Sequence, residues 1–339
     1  MAVVGFFQNA TEMLKLTQSK LLAGVVPEIY EEGQLIGKLP ITLIDSYKLI
    51  WNREKTLPTA TPKSLGELYS WKSVADLTRV ELELREYGDQ WLLDKLVQDT
   101  YKDPNDYRAV VMKMIVKGCL RSIEHDLIYG DHATNAKEFS GLGKLCPAYS
   151  GDDFVLSESG TNNPQCFDMG GGTTGLSVAR LRDLIDMVKP KPSLLLMTRS
   201  QRNLLSAAAF EAGVSANATG RITYEKDQYG VRIEYFDNIP ILVSDYLTYE
   251  VDNTGAETTS GDLRSVYAIR FGDVEDGSVS LCVGGGTGGA NFFNETPFEK
   301  LEFQNAEGIR MYAFCALAMG STKSVARIHS IDHTAAVTA

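Results

Sequence analysis

The longest uninterrupted pattern in the chain lies between Asp103 and Gly130. There Val111, Met112, Ile115, Val116, Cys119, Leu120, Ile123 and Leu127 recur at steps of three and four. That spacing puts all of them on one stripe of an α-helix. Both ends are marked. Asp103 can cap the first free N–H groups, Pro104 suits the first helical position, Asp106 sets negative charge on the positive end, and Gly130 supplies a left-handed stop. At ~1.5 Å per residue the helix spans ~40 Å. Burying the stripe is worth on the order of 10–20 kcal/mol as an upper bound, so it must lie against a sheet or another helix.

Upstream the period changes. Residues 9–24 form a short amphipathic helix with Asn9 as cap, Glu12 three residues on, and Met13, Leu14, Leu21 and Leu22 on one face. Such a terminal helix packs on something else, for instance another subunit. From Gly33 to Ser73 the texture is extended: Ile41, Leu43, Tyr47, Leu49 and Trp51 alternate along ITLIDSYKLIWNRE, TLPTATPKS interrupts, and LYSWKSV resumes. This reads as a two-stranded excursion, either resting on a partner surface or forming an ordinary sheet edge. Thr78 to Tyr87 is a half-buried strand with Val80, Leu82 and Leu84 on one face, and DQWLLDKLVQDT then starts a short helix.

Downstream, Ser150 to Thr174 is a surface loop by composition. An α/β section follows, with a helix over Leu176–Val188, the buried strand SLLLMT and the helix RSQRNLLSAAAFEAG. Two strands hinged at Asp237-Asn238 come next, then SVYAIRFGD and VSLCV. FEKLEFQNAEGIRMYAFCALAMG is a hairpin whose second strand, Ile309 to Met319, is apolar on nearly every residue and so covered on both faces. The tail from Asp332 to Ala339 is expected to fray.

Composition narrows the picture. With 339 residues the chain holds one large domain or two medium ones. A net charge of −11 without a Lys/Arg cluster argues against a nucleic-acid-binding surface. No apolar run reaches the ~20 residues needed to span a bilayer. The start, MAVVGFFQNATE, lacks the basic region of a signal peptide. Five cysteines without a CxxC pair argue against a metal site or disulfide framework and for folding in a reducing cytoplasm.

Candidate chemistry is thin. Gly170 to Ser177 resembles a phosphate-binding loop, but Leu176 stands where the lysine belongs. Gly284 to Gly289 satisfies GxGxxG, yet ANFFNETPFEK with Pro297 follows instead of a helix. His125 and His132 flank the end of the long helix and read as solvated or capping groups. No catalytic, cofactor-binding or metal-ligating residue is assigned.

Taken in order, these segments resemble the major capsid protein of tailed bacteriophages, the α+β Hong Kong 97-type fold. TRVELELREYGDQWLLDKLVQDT, the long helix and IYGDHATNAKEFSGL are similar to that family's strand, short helix, spine helix and glycine turn. GGGTTGLSVARLRDLIDMV, SLLLMTRSQRNLL, VRIEYFDNIPILVSDYL and YAIRFGD resemble its A-domain, and RMYAFCALAMGSTKSVARIHSI the closing strands of its P-domain. The resemblance implies an N-terminal arm (1–32), an E-loop lying on a neighbouring subunit (33–75), a P-domain (76–148 and 291–335, spine helix 103–130) and an A-domain (149–290).

It further implies a shell of hexamers and pentamers enclosing DNA, built in the host cytoplasm and ending in the virion, without membrane or cofactor. Scaffolding, portal and decoration proteins are the implied partners. The arm begins almost at once, so the scaffolding protein is separate or the chain is already processed. An encapsulin-like nanocompartment enclosing an enzyme is the alternative within the fold, and a nucleotide-dependent enzyme using the glycine loops is the alternative outside it. Position and residue type single out Trp51, Arg53, Glu54, Lys63 and Trp71 in the ribbon, and Arg199 and Arg202 in the A-domain, as intersubunit contacts. Lysine–asparagine cross-links, known in some relatives, are not carried over to Lys55 or Lys63.

Overall fold

A computed structural model describes residues 35–54, 60–69, 71, 77–95, 107–146, 165–169, 174–211, 222–226, 232–250, 262–284, 292–295, 299–300 and 305–337. The expected helix at 9–24, the helix start at Asp103–Asp106, Lys55 and the glycine runs at 170–173 and 285–289 lie outside the described residues.

The strands are β1 (Ile41–Ile44), β2 (Lys48–Glu54), β3 (Leu77–Glu83), β4 (Arg85–Asp94), β5 (Cys166–Asp168), β6 (Leu194–Met197), β7 (Ile222–Lys226), β8 (Arg232–Phe236), β9 (Ile239–Val243), β10 (Leu263–Ile269), β11 (Val279–Gly284), β12 (Asn294–Glu295), β13 (Glu299–Lys300), β14 (Ala306–Met319) and β15 (Val325–Asp332). The helices are α1 (Tyr107–Tyr129), α2 (Leu142–Leu145), α3 (Val178–Met187) and α4 (Arg199–Glu211).

Among the described residues the strands form three sheets. A six-stranded sheet runs β1-β11-β14-β12, with β4 and β13 also pairing β14; a seven-stranded sheet runs β5-β15-β10-β6-β9-β8-β7; β2 and β3 pair alone.

The seven-stranded sheet separates two cores. Leu195, Met197, Val266 and Ala268 face one core with Leu181, Leu184 and Met187 of α3 and Leu205 of α4. Their neighbours Leu194, Leu196, Tyr267 and Ile269 face the other, shared with Leu281, Cys282, Ala316 and Leu317 of the six-stranded sheet and Ile123 and Leu127 of α1. Burial on both faces explains the nearly unbroken apolar runs of these strands. Helix α1 crosses the six-stranded sheet, and further along it Ile115 packs with Ile309 and Met311, against which half-buried Trp91 also rests.

Local signals fix several elements. Asp237 and Asn238 both take left-handed φ (48° and 63°), the two-residue turn that joins β8 to β9. Thr198 and Gln201 form a capping box at α4: the Gln201 N–H donates to the Thr198 hydroxyl (3.3 Å), and the Thr198 N–H donates to Gln201 Oε1 (3.1 Å). The sequence TRSQ carried that signal.

Several expectations need correction. The segment from Asp89 to Asp94 is strand, not helix, because β4 pairs β14 in a ladder from Arg85↔Cys315 to Asp94↔Ala306. The backbone groups turned toward β14 find partners along the whole ladder, which outweighs a weak local helical period. Gly88 permits this pairing, since a Cβ would sit on the Met311 carbonyl oxygen. The single strand expected over Thr78–Tyr87 is two, broken at buried Leu84, and ITLIDSYKLIWNRE likewise divides into β1 and β2, in different sheets.

Gly130 is not in the left-handed region. It is glycine because a Cβ would meet the Phe139 and Asp126 carbonyls. Inside the expected loop at 150–174, β5 pairs in parallel with β15, and Cys166 and Phe167 are buried. The tail is held to residue 337: the Asp332 N–H donates to the Thr174 carbonyl (3.0 Å), and Val337 packs on the second core.

The expected domain boundaries also cut across the sheets. β15, assigned with β14, belongs to the seven-stranded sheet, whereas β1 and β11 join β14 in the six-stranded one. The chain changes sheets at the turn through Gly320 and Ser321, so adjacent strands serve different layers.

Candidate assembly surfaces

The ribbon has a base docked on its own chain and a tip that leaves it. At the base, β2 and β3 pair through Leu49↔Leu82, Trp51↔Val80 and Arg53↔Thr78. The strand that pairs with β2 is therefore 77–83, beyond the expected limit at Ser73; of LYSWKSV, residues 70 and 72–74 lie outside the described residues. Leu49, Trp51 and Leu82 pack on the shared core. Trp51 Nε1 donates to the Gly320 carbonyl (3.2 Å), Arg53 Nε donates to the same oxygen (2.7 Å), and Arg53 Nη2 donates to the Met319 carbonyl. These two residues, expected to reach a neighbouring subunit, make their hydrogen bonds within the chain. Glu54 ends β2 exposed, opposite Leu77.

The tip folds on itself. Lys63 Nζ donates to Glu67 Oε1 and the Leu68 carbonyl, both at 3.0 Å, and lies 5.9 Å from the centre of the Tyr69 ring. The Ser64 N–H donates to Glu67 Oε2 (3.0 Å), and Gly66 takes φ +86° to close the turn. Lys63 thus shapes the tip instead of projecting from it. What the tip presents is apolar: Leu65, Leu68, Tyr69 and Trp71 are 85–108% exposed. Trp71 was among the expected contacts; Leu65, Leu68 and Tyr69 were not, although LGELYSW places them within the same few residues.

On the seven-stranded side, Arg199 Nη2 lies 3.2 Å from Asp245 Oδ1, and Arg202 pairs with Glu234 (3.8 Å) and donates to Asn203 Oδ1 (2.9 Å). Arg199 keeps a largely exposed side chain, while Arg202 is half-buried.

Two buried charges fix the roots of longer segments. Glu124 of α1 is fully buried, and its carboxylate accepts the N–H groups of Leu35 (2.9 Å) and Ile36 (3.0 Å). Burial pushes its pKa above the usual glutamate value, against the pull of those two N–H groups.

Arg327 of β15, also fully buried, donates to Ser265 Oγ (2.9 Å), to the Cys146 carbonyl (3.3 Å) and to Glu250 Oε1. Glu250 Oε2 accepts the N–H of Ser330, whose left-handed φ (59°) lies opposite the irregular register between Arg264 and Val266. Burial works against the charge of Arg327, yet Tyr267 and Glu250 beside it hold its pKa above the ordinary arginine value. Sequence alone could not pair residues 77 positions apart.

Among the described residues no group of three His, Cys, Asp or Glu side chains could hold a metal ion, and no helix is long and apolar enough to cross a membrane. Burial pushes the thiols of Cys282 and Cys315 up to about 11 and about 12, far from a reactive thiolate at neutral pH. His125 and His132 remain apart, the first 3.0 Å from Asp126 and the second 3.2 Å from Arg85.

Compared with solved structures, the chain aligns along nearly its whole length with shell subunits. It is similar to the SrpI encapsulin of Synechococcus elongatus (TM-score 0.66, 14% identity, 97% of this chain and 98% of the other). It is similar to the capsid of the native GTA particle (0.63, 10%, 95% and 98%) and to that of Myoviridae phage XM1 (0.61, 9%, 92% and 96%). No protein-family model and no curated protein matches it. The shared architecture is the α+β Hong Kong 97-type fold.

Proposed function

We propose that the chain is a major capsid protein of a tailed double-stranded DNA phage, assembling with copies of itself into hexamers and pentamers of an icosahedral or prolate head. The reading rests on alignment that is nearly complete in both directions: 92–95% of this chain matches 96–98% of phage XM1 and GTA subunits.

Within it, the six-stranded sheet with α1 is the P-domain, the seven-stranded sheet with α3 and α4 is the A-domain, and the ribbon is the E-loop. The exposed tip suits that role, since four large apolar side chains in solvent are a liability for a monomer and an adhesive surface between subunits. Glu54, Trp71 and Arg199 remain the contacts with exposed side chains to offer; Trp51 and Arg53 act by orienting the ribbon. Scaffolding and portal proteins, with or without a decoration protein, complete the head, which is built in the host cytoplasm and encloses DNA without reading its sequence.

Electron microscopy of the purified protein, alone and with a candidate scaffolding protein, is expected to show capsomers or closed shells. A subunit that stays monomeric at high concentration under both conditions refutes the reading. The similarity to the SrpI encapsulin favours a second one, a nanocompartment around an enzyme. Neighbouring terminase and portal genes select the phage head; a neighbouring cargo-enzyme gene, with that enzyme inside purified shells, selects the compartment.

A further inference from the structure

The large hydrophobic side chains that the described residues leave in solvent are not scattered. Ile41, Leu43, Tyr47 and Ile50 form one group, and Leu65, Leu68, Tyr69 and Trp71 form another; beyond these, Leu77, Leu92 and Met114 stand singly. The second group is the ribbon tip. The first runs from β1 into β2, where the ribbon leaves the six-stranded sheet.

The first group has a structural cause. β1 is the margin of that sheet and, among the described residues, pairs with β11 alone. The parallel register sets Ile41 beside Leu281 and Leu43 beside Val283, on one face of the sheet. Leu281 and Val283 are buried, whereas Ile41 and Leu43 are 52% and 51% exposed. Among the described residues, the layer that covers this face therefore stops one strand short of the margin. The backbone is open there too. The Leu281 N–H donates to the Pro40 carbonyl (2.9 Å), and in a parallel ladder that turns the N–H and C=O groups of Ile41 and Leu43 away from β11. An open margin with apolar side chains is a surface for another chain.

We infer that the ribbon tip of one copy docks on the β1 margin of the next, with Leu65, Leu68, Tyr69 and Trp71 against Ile41, Leu43 and Tyr47. The inference rests on the shell reading and adds to it the place that the tip occupies. The tip does not cover its own margin, because its four side chains are 85–108% exposed within the chain. Area selects the counter-surface. Tyr69 and Trp71 alone can bury ~150–250 Å² each. With the two leucines and a matching area on the margin, the contact reaches the ~1,000 Å² that a specific interface needs. Leu92 and Met114, standing singly, offer no surface of that extent. Two different patches also make the contact head-to-tail. Such a contact closes into rings, as hexamers and pentamers require, whereas tip against tip or margin against margin stops at a dimer.

The test is cross-linking between whole chains. Trp71→Cys, Leu43→Cys and Leu92→Cys are made separately, and each is treated with a short bismaleimide, alone and in pairwise mixtures, under conditions in which the natural chain forms capsomers. The mixture of Trp71→Cys with Leu43→Cys is expected to give at least about tenfold more covalent dimer than either variant alone, the natural chain, or Trp71→Cys with Leu92→Cys. A single chain carrying both Trp71→Cys and Leu43→Cys is expected to give a covalent ladder ending at pentamers and hexamers. Dimer from Trp71→Cys alone, preferential linkage to Leu92→Cys, or capsomers without linkage overturns the assignment and leaves the shell reading standing. Absence of capsomers and shells from the natural chain, with or without a scaffolding protein, overturns both.

Discussion

Arg327 and Glu250 put opposite charges in the core, and the energetics of such a pair are asymmetric. Replacing Arg327 with methionine keeps the volume but leaves Glu250 buried without its cation. The variant is expected to lose ~3–5 kcal/mol in urea denaturation. Arg327→Met/Glu250→Leu should recover part of that loss, since no charge is then stranded.

Glu124 gives a different observable. Its folded-state pKa lies above the unfolded value, so between the two the folded chain holds a proton that the unfolded chain has released. Its contribution makes stability fall as pH rises through that window and levels off above the folded value. Urea midpoints for the natural chain and Glu124→Gln, measured across the acidic range, should differ by this slope. Parallel curves would show that the buried group does not titrate differently on folding.

At the scale of elements, Ile123 tests the long helix. Proline there removes one backbone hydrogen bond and clashes with the preceding turn at a fully buried position, for ~3 kcal/mol or more. Soluble expression and the cooperative thermal transition should both be lost, whereas Ile123→Val should keep them.

The stripe that identified this helix was legible because 3.6-residue periodicity is a property of local sequence. The same holds for α3, α4, the buried strand β6 and the turn at Asp237-Asn238. What escaped was pairing between distant segments. Nothing in DQWLLD announces β14 more than two hundred residues later, and the stretch carries enough helical period to mislead until the ladder with Ala306–Met319 is seen. Likewise β14 and β15 are both apolar, and no local signal says that they belong to different sheets. Of the expected contacts, Trp51 and Arg53 hydrogen-bond to carbonyls of Gly320 and Met319 in their own chain, partners that residue type alone does not indicate.

For the whole molecule, the separation of ribbon base from ribbon tip predicts a separation of folding from assembly. Leu65, Leu68, Tyr69 and Trp71 lie wholly outside both cores. Changing all four to serine should leave subunit stability within ~1 kcal/mol by urea denaturation, since exposed positions away from special features tolerate substitution. The same variant should fail to sediment as shells. If shells still form, the tip is not the adhesive surface.

The base of the ribbon has a mechanical meaning as well. Trp51 and Arg53 grip the chain at Met319 and Gly320, the stretch where it passes from one sheet to the other. A force applied at the tip therefore reaches the joint between the two layers through these hydrogen bonds. The ribbon is built as a lever with its fulcrum at that joint, so a change of its angle is expected to strain the turn between the sheets first.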